Sequence, residues 1–362
     1  MKVGIVGMPN AGKSSLFTAL TGVAAEAANY PFTTIEPNVA IVPVHDERLD
    51  VVAGIVRASK IVSDTIAFRD IAGLVAGAHK GEGLGNQFLA NIRDCDAVAF
   101  VARCFEDTDV THVEGRVDPL DDLDIIETEL MLADLESLEK RVGGLEKRAK
   151  GGDKDARDLL ALAERSLAEL KEGRPARAAG VGRDERRLFQ SLGLLSSKPV
   201  LYVCNVDEAS ADKGNAFSDQ VKQLAANEGA AAVVVSAKIE SEIAVLPQAE
   251  QKAYLEAVGL SEPGLDRVIR AGYDLLHLVT FFTAGPKEAR AWTVERGAKA
   301  PQAAGVIHTD FEKGFIRAET IAYDDYAANR GEAGAREAGK FRLEGKDYVV
   351  ADGDVMHFRF AN

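Results

Sequence analysis

The feature that most limits how this chain can fold is the octapeptide GMPNAGKS at residues 7–14. It fits the pattern GxxxxGKS, in which two glycines precede a lysine and a hydroxyl residue. Residues 2–6 (KVGIV) form an apolar run typical of a buried strand, and residues 15–20 (SLFTAL) have the composition of a helix start. Because glycine lets successive N–H groups turn inward, and because a helix N-terminus is positive, this strand–loop–helix unit predicts a phosphate-binding loop.

The motif also assigns roles to the side chains at the end of the loop. Lys13 would reach the β- and γ-phosphates of a nucleoside triphosphate, and the Ser14 hydroxyl would bind Mg²⁺. Between a strand and a helix, the pattern predicts a nucleoside triphosphatase. The loop residues expected at the phosphates are Asn10, Ala11, Gly12, Lys13, Ser14 and Ser15.

The whole chain has the composition that we expect of a soluble cytoplasmic protein. Its 362 residues can hold about two or three domains, and 46% hydrophobic content suffices for their cores. The net charge of −14 argues against charge-driven wrapping of nucleic acid, so DNA is not a predicted partner. No apolar run approaches membrane length, and a strand at residue 2 leaves no room for a signal peptide. Cys95, Cys104 and Cys204 lack metal or redox spacing, as expected in a reducing compartment.

Further apolar, β-branched runs follow the loop, with helical stretches between most of them. They occupy residues 39–44, 65–68, 97–101, 200–204 and 232–235. This alternation predicts an α/β fold with a mostly parallel sheet that is covered on both faces. In such sheets ligands bind at the carboxyl ends of the strands, so the residues after each run are candidates for the site.

The residues expected to hold the metal follow the early strands. Asp70 begins the tetrapeptide Asp-Ile-Ala-Gly73, and its carboxylate can hold Mg²⁺ through a water while the Gly73 N–H approaches the γ-phosphate. Thr33 and Thr34 lie in YPFTT, a loop in which one hydroxyl would close over the metal. We favour Thr34; the alternative is a threonine on a solvated surface.

The tetrapeptide after residues 200–204 bears on the choice of base. GTPases have NKxD there, whereas this chain has NVDE, with Val206 in place of lysine and Glu208 in place of aspartate. In guanine, two donors hydrogen-bond to a short, fixed carboxylate, and adenine lacks both donors. The replacement of that aspartate by glutamate therefore favours ATP over GTP. Asn205 opens the tetrapeptide, and Ser236 and Ala237 after the last strand fit the loop beside the base.

Several longer stretches together resemble one family. They are GMPNAGKSSLF, YPFTT, DIAGLV, KGEGLGNQFL, GVIHTDFEKGFIRAE and DYVVADGDVMHFRF, and with NVDE they resemble the YchF-type Obg-like ATPases over nearly the whole chain. The resemblance implies a P-loop domain of the translation-factor class at residues 1–277, a helical coiled-coil insertion at 121–198, and a TGS domain of β-grasp, ubiquitin-like form at 278–362. It also implies preference for ATP and a link to ribosomes and stress responses.

The residue pattern is consistent with these two additional parts. Apolar residues recur at four-three spacing in 131–149 and 156–170, around a Gly151-Gly152 turn, which predicts an antiparallel helical hairpin. Arginines near its base could contact ribosomal RNA or form a solvated surface: Arg174, Arg177, Arg183, Arg186 and Arg187. In residues 278–362 the residue pattern predicts a helix at 300–308 and strands at 279–282, 289–294, 315–322, 348–350 and 355–360. This segment holds no catalytic constellation, and a recognition surface using Lys313 and Arg317 is one hypothesis for it.

Hydrolysis must proceed without the glutamine that Ras-like enzymes carry after DxxG, since Leu74 stands there. The family carries a histidine at the position of His112, proposed to serve catalysis, and a neutral imidazole could orient water; the alternative is a merely solvated loop histidine. Resemblance to K⁺-activated P-loop proteins implies that the Asn10 carbonyl holds a monovalent cation against the phosphates. With Lys13, these are the candidate catalytic residues, and slow turnover is expected.

The sequence thus predicts a magnesium-dependent ATP hydrolase that acts as a nucleotide-dependent switch on ribosomes. Two alternatives stay open: a nucleotide-gated scaffold with incidental hydrolysis, and an Obg-type ribosome-associated GTPase. The predicted metal ligands are Ser14, Thr34 and Asp70. The predicted nucleotide contacts beyond the loop are Gly73, Asn205, Val206, Glu208, Ser236 and Ala237.

Overall fold

The computed structural model describes residues 1–26, 38–71, 84–107 and 116–361. These residues form two compact units. The first unit contains residues 1–26, 38–40 and the described part of 67–275, and the second contains 41–66 and 276–361.

The elements are numbered in chain order. The strands are β1 (Lys2–Val6), β2 (Val39–Pro43), β3 (Ile61–Val62), β4 (Thr65–Asp70), β5 (Ala97–Arg103), β6 (Val200–Asn205), β7 (Ala231–Val235), β8 (Leu278–Ala284), β9 (Ala289–Glu295), β10 (Phe315–Ile321), β11 (Arg342–Glu344) and β12 (Asp354–Phe360). The helices are α1 (Lys13–Glu26), α2 (Glu47–Val56), α3 (Leu84–Arg93), α4 (Pro119–Lys150), α5 (Lys154–Lys171), α6 (Arg186–Gln190), α7 (Ala216–Glu228), α8 (Ala237–Ile243), α9 (Gln248–Ala257), α10 (Gly264–Leu275), α11 (Ala300–Ile307), α12 (Thr309–Lys313), α13 (Tyr323–Ala328) and α14 (Glu332–Glu337).

The first unit is built on a sheet with the strand order β2-β4-β1-β5-β6-β7. The pairs β1–β4, β1–β5, β5–β6 and β6–β7 are parallel. Every residue of β5 and β6 is buried, because helices cover both faces of the sheet there, and this explains their unbroken apolar runs. The predicted α/β fold with a mostly parallel sheet is confirmed.

The predicted hairpin is formed by α4 and α5. Asp118 caps α4 and Pro119 occupies its first position, whereas Asp153 caps α5 by accepting from the Ala156 N–H. Buried side chains from both arms, including Leu138 and Leu162, share one cluster, as the four-three spacing requires. The helix α4 continues without a break through the Gly143-Gly144 pair.

Two arginines at the base of the hairpin are engaged by carboxylates. Arg177 forms an ion pair with Glu127 and a second one with Glu228, at 3.0 Å from Nη2 to Oε2. Arg174 pairs with Glu169 at 2.5 Å. Both guanidinium groups are thus neutralised by carboxylates of the same chain, and the Arg177 side chain is only 19% exposed.

The second unit has the strand order β11-β10-β12-β8-β9-β3. The β8–β9 hairpin is antiparallel, β8 is parallel to β12, and α11 packs on the sheet, as in a β-grasp fold. The predicted strand at 348–350 was wrong, since its only pairing is one bridge between Val349 and Lys299. The backbone of this segment bonds to residues at the start of α11 instead, since the Ala300 N–H donates to the Tyr348 carbonyl at 2.8 Å and the Val350 N–H donates to the Ala298 carbonyl at 2.9 Å.

The other face of this sheet is covered by a segment from early in the chain. The helix α2 packs Leu49, Val52 and Ala53 into a cluster with Phe282 of β8 and Val355 of β12. The following strand β3 pairs in parallel with β9. Residues 41–66 therefore belong to the second compact unit, whereas the sequence suggested one domain over 1–277.

The described helices include none with both the length and the apolar character that crossing a membrane requires.

Candidate nucleotide-binding site

The loop between β1 and α1 has the backbone that an anion cradle requires. Asn10 and Gly12 both have positive φ, at 64° and 93°. Asparagine tolerates this left-handed conformation better than most residues. A Cβ on Gly12 would lie 2.1 Å from Asn205 Nδ2, and one on Gly7 would lie 2.6 Å from the Val101 carbonyl oxygen. Both glycines are therefore needed because the backbone approaches its neighbours closely.

Lys13 lies inside this loop. Its side chain is buried, and its Nζ donates a hydrogen bond to the Met8 carbonyl at 2.7 Å. Burial lowers the pKa of Lys13, and the nearby Asp70 carboxylate partly opposes this shift. An ammonium taken out of water in this way interacts strongly with an anion that reaches it.

Asp70 is brought to the same place by strand pairing. It is the last residue of β4, opposite Ile5 of β1, which ends directly before the loop. Burial raises the pKa of Asp70, and the positive charge of Lys13 lowers it in part. Ser14 is exposed and is the second residue of α1, the helix that begins at Lys13. A hydroxyl and a carboxylate are the hard oxygen ligands that Mg²⁺ takes together with phosphate oxygens, so these residues fit that ion.

Asn205 joins three segments of the site. Its Nδ2 donates to the Ala11 carbonyl at 3.0 Å, and its Oδ1 accepts from the Ala237 N–H at 2.9 Å. Both bonds are buried, so this side chain fixes the phosphate loop to the end of β6 and to the start of α8. The sequence placed Asn205 in the site, and the structure adds this bridging contact.

Glu208 is the acid that the sequence assigned to the base. Its carboxylate forms an ion pair with Lys238, and the hydrogen bond from Lys238 lowers its pKa. Val206 is buried, and its N–H donates to the Val235 carbonyl at 2.8 Å. Ser236 is buried as well, and its hydroxyl finds no hydrogen-bond partner among the described atoms. The predicted base loop thus contains an unsatisfied polar group.

Three predicted site residues, Thr34, Gly73 and His112, lie outside the described residues. The structure brings together the loop residues Asn10–Ser15, Asp70 and the Asn205–Ala237 connection. The sequence assigned no side-chain role to Lys238, which the structure shows to be the ionic partner of Glu208. The available signal was a pair of opposite charges that follow two neighbouring strands: Glu208 after β6 and Lys238 after β7.

Comparisons with known proteins show the family of this chain. Residues 2–136 match the family model MMR_HSR1, described as "50S ribosome-binding GTPase". Residues 278–361 match YchF-GTPase_C, described as "Protein of unknown function". The "Ribosome-binding ATPase YchF" of Haemophilus influenzae is 58% identical over 359 residues, which cover 99% of both chains. The chain belongs to the YchF family.

More distant YchF proteins match over the same length. The "Ribosome-binding ATPase YchF" of Bacillus subtilis is 52% identical over 362 residues, with 99% of each chain covered. The solved YchF GTPase of Schizosaccharomyces pombe has a TM-score of 0.87 and 38% identity, covering 99% of this chain and 97% of that one. Proteins of the YchF family are thus named both as ATPases and as GTPases, so the residues around the nucleotide base need particular attention.

Proposed function

We propose that this YchF chain is an ATP hydrolase that binds ribosomes in the cytoplasm and switches between two states with its bound nucleotide. The observation that carries the proposal is the buried Lys13 ammonium inside a loop of positive-φ residues, beside Asp70. A triphosphate chain supplies the negative charge that this group lacks. The names of the bacterial relatives support ATP hydrolysis and ribosome binding.

The preference for ATP rests on Glu208. Guanine recognition needs a short carboxylate that accepts from two donors of the base, and adenine offers neither donor. Glu208 is one methylene longer than aspartate and is engaged by Lys238, so it is less suited to accept both. Ser236 and Ala237 would complete the base pocket together with Asn205 and the buried Val206.

Mg²⁺ would be held by Ser14, by Asp70 through a water, and by Thr34, with the Gly73 N–H at the γ-phosphate. When bound, the ion neutralises charge on the phosphate oxygens. Thr34 and the segment after Asp70 would then respond to loss of the γ-phosphate, which provides the switch.

Hydrolysis itself would be slow. Leu74 cannot orient water, so we assign that role to His112, and we assign to Asn10 the binding of K⁺ against the phosphates. Two other functions remain as candidates. The name of the S. pombe relative favours a GTPase, and a scaffold with incidental hydrolysis would use the same loop.

Titration of ATP and GTP on the purified protein, with and without K⁺, tests the choice of base and of ion. We expect tighter binding of ATP, and we expect turnover to rise with K⁺. Glu208→Asp is the informative variant because it restores the shorter side chain of the GTPases. It should reduce the difference in affinity between ATP and GTP. Tenfold tighter binding of GTP by the unaltered protein would contradict the proposed base preference.

Two variants separate the enzyme from the scaffold. His112→Ala should retain ATP binding and lose turnover, whereas Lys13→Ala should lose both. We expect cellular function to fail in both variants, and ribosomes to raise ATP turnover of the unaltered protein. If cells tolerate His112→Ala and not Lys13→Ala, the scaffold function is correct instead.

A further inference from the structure

Two side chains of opposite charge meet at the edge of the first sheet where the nucleotide base is expected. Strands β6 and β7 are parallel neighbours, and Asn205 is paired in register with Val235. Glu208 and Lys238 each lie three residues beyond this register pair, so both follow the same edge of the sheet. The Lys238 ammonium and the Glu208 carboxylate form an ion pair. We call these two residues the acid–lysine pair.

Neighbouring groups hold the lysine in this position. Lys238 is the second residue of α8, and Glu242 lies one helical turn further along the same helix. The Glu242 carboxylate accepts a hydrogen bond from the Tyr254 hydroxyl of α9. The hydrogen bond to Glu208 raises the pKa of Lys238, and the charges of the other nearby acids, Glu242 and Asp107, add to that shift. The lysine is therefore a cation at neutral pH, and its ammonium stays beside Glu208.

The acid–lysine pair is also accessible to a ligand. The Lys238 side chain is 67% exposed and that of Glu208 is 46% exposed. Val206 stands where the tetrapeptide of GTPases has lysine, and it is buried, so the tetrapeptide itself brings no cation to the base. The cation comes instead from the loop after the neighbouring strand. Because an exposed ion pair contributes little to the stability of a fold, either partner can be replaced without unfolding the protein.

We propose that the acid–lysine pair binds the Watson–Crick edge of adenine, with the Lys238 ammonium donating to N1 and the Glu208 carboxylate accepting from the 6-amino group. An ammonium has three N–H donors and a carboxylate has two oxygens, so each group can bond the base and still keep the ion pair. The inference rests on the proposed preference for ATP. It adds Lys238 as the residue that determines this preference.

The hydrogen-bonding groups of the two purines explain the discrimination. Adenine has an acceptor at N1 and a donor at its 6-amino group, whereas guanine has a donor at N1 and an acceptor at O6. A guanine in the same position would place its N1–H against the ammonium and its O6 against the carboxylate. A site built for one arrangement of hydrogen bonds binds the reversed arrangement poorly, so the pair both selects adenine and excludes guanine.

The test sets one atom of the nucleotide against one side chain of the full protein. Lys238→Met removes the ammonium and keeps an unbranched side chain, and 1-deaza-ATP replaces N1 of the base with carbon. Isothermal titration measures the affinities of ATP and 1-deaza-ATP for the unaltered protein and for the variant. We expect either change alone to weaken binding by about tenfold or more, and we expect the variant to bind both nucleotides equally.

Two further measurements complete the design. Lys252→Met is the matched control, the same change at an exposed lysine of α9, and it should bind ATP as the unaltered protein does. GTP should bind Lys238→Met more tightly than it binds the unaltered protein. The reason is that Glu208, once it is released from the ammonium, can accept from the two donors of guanine.

Contrary outcomes are distinct. Full affinity of the unaltered protein for 1-deaza-ATP would overturn the inference without any variant. Unchanged ATP binding by Lys238→Met, an equal loss in Lys252→Met, or a further loss when 1-deaza-ATP is titrated into Lys238→Met would do the same, since the effect would then not pass through N1. Tenfold tighter binding of GTP than of ATP by the unaltered protein would instead overturn the proposed base preference, and it is measured on the same preparation.

Discussion

The Asn205 side-chain amide donates to the main-chain carbonyl of Ala11 at 3.0 Å, in a buried position. The two residues are 194 positions apart in the chain, and their bond fixes the phosphate loop to the strand that ends at the first residue of the base tetrapeptide. The other side of the same amide accepts from the Ala237 N–H. One side chain thus couples the geometry of the phosphate subsite to that of the base subsite.

Asn205→Asp should weaken ATP binding by about thirtyfold or more. The variant keeps the acceptor for Ala237 but turns a carboxylate oxygen toward the Ala11 carbonyl, and an unpaired buried carbonyl costs roughly 2 kcal/mol. Isothermal titration with ATP measures the change. Asn227→Asp is the matched control, because Asn227 is exposed and bonds only Gln223 among the contacts seen here. Equal affinities for all three proteins would show that the bridge does not shape the loop.

Asp70→Asn should increase stability and decrease activity. The folded-state pKa of Asp70 is raised by burial, so the protonated group favours the fold below its ordinary pKa and this contribution is lost as pH rises through the folded value. The neutral amide avoids that loss. The unfolding temperature of the nucleotide-free variant should therefore exceed that of the unaltered protein more at pH 7.5 than at pH 4.5.

In the same variant, ATP turnover should fall by about tenfold or more, the effect expected when an outer ligand of a metal is removed. Asp94→Asn serves as control, since Asp94 is 69% exposed and its closest ionic partner, Arg69, is 3.6 Å away. A pH-independent difference in unfolding temperature would contradict the prediction.

Alanine in the long arm of the hairpin should stabilise it. Gly143 and Gly144 lie inside α4, and a Cβ on either would meet no atom within 4 Å. Each substitution should raise the free energy of unfolding of the hairpin by about 1 kcal/mol, measured by urea denaturation with circular dichroism. Gly152→Ala is the control: it has the same open space, but φ is 91° there, so alanine should destabilise.

The C-terminal unit should need the early segment in order to fold. A fragment of residues 276–362 lacks α2 and β3, which leaves Phe282 and Val355 without the side chains that cover them. We expect its proton–nitrogen NMR spectrum to be poorly dispersed, and we expect a linked copy of residues 44–64 to restore dispersion. A well-dispersed spectrum from residues 276–362 alone would contradict this.

In the full chain, Leu49→Ala should reduce the stability of this unit by roughly 2–5 kcal/mol, the range for removing a buried leucine side chain. Val51→Ala is a suitable comparison, because Val51 on the same helix is 41% exposed. Hydrogen exchange of the β12 amides reports on the unit directly, and similar exchange in both variants would argue against the role of α2.

The parts that the sequence predicted well are those encoded locally. The strand–loop–helix around Lys13 follows from glycine spacing and an apolar run, and the hairpin follows from four-three periodicity. The strand predicted at 348–350 failed because its backbone groups bond to Ala298 and Ala300 at the start of α11, which form one bridge and not an extended ladder. No local pattern shows where that partner lies.

Sequence alone determined the phosphate loop, the parallel sheet and the order of parts, because backbone conformation and the hydrophobic period act over a few residues. Only the tertiary structure showed that Asn205 bridges Ala11 and Ala237 and that Lys238 holds Glu208. It also showed that α2 and β3 complete the C-terminal sheet. Such contacts depend on strand order and register, which join residues far apart in the chain, and their energy appears only once the fold has brought them together.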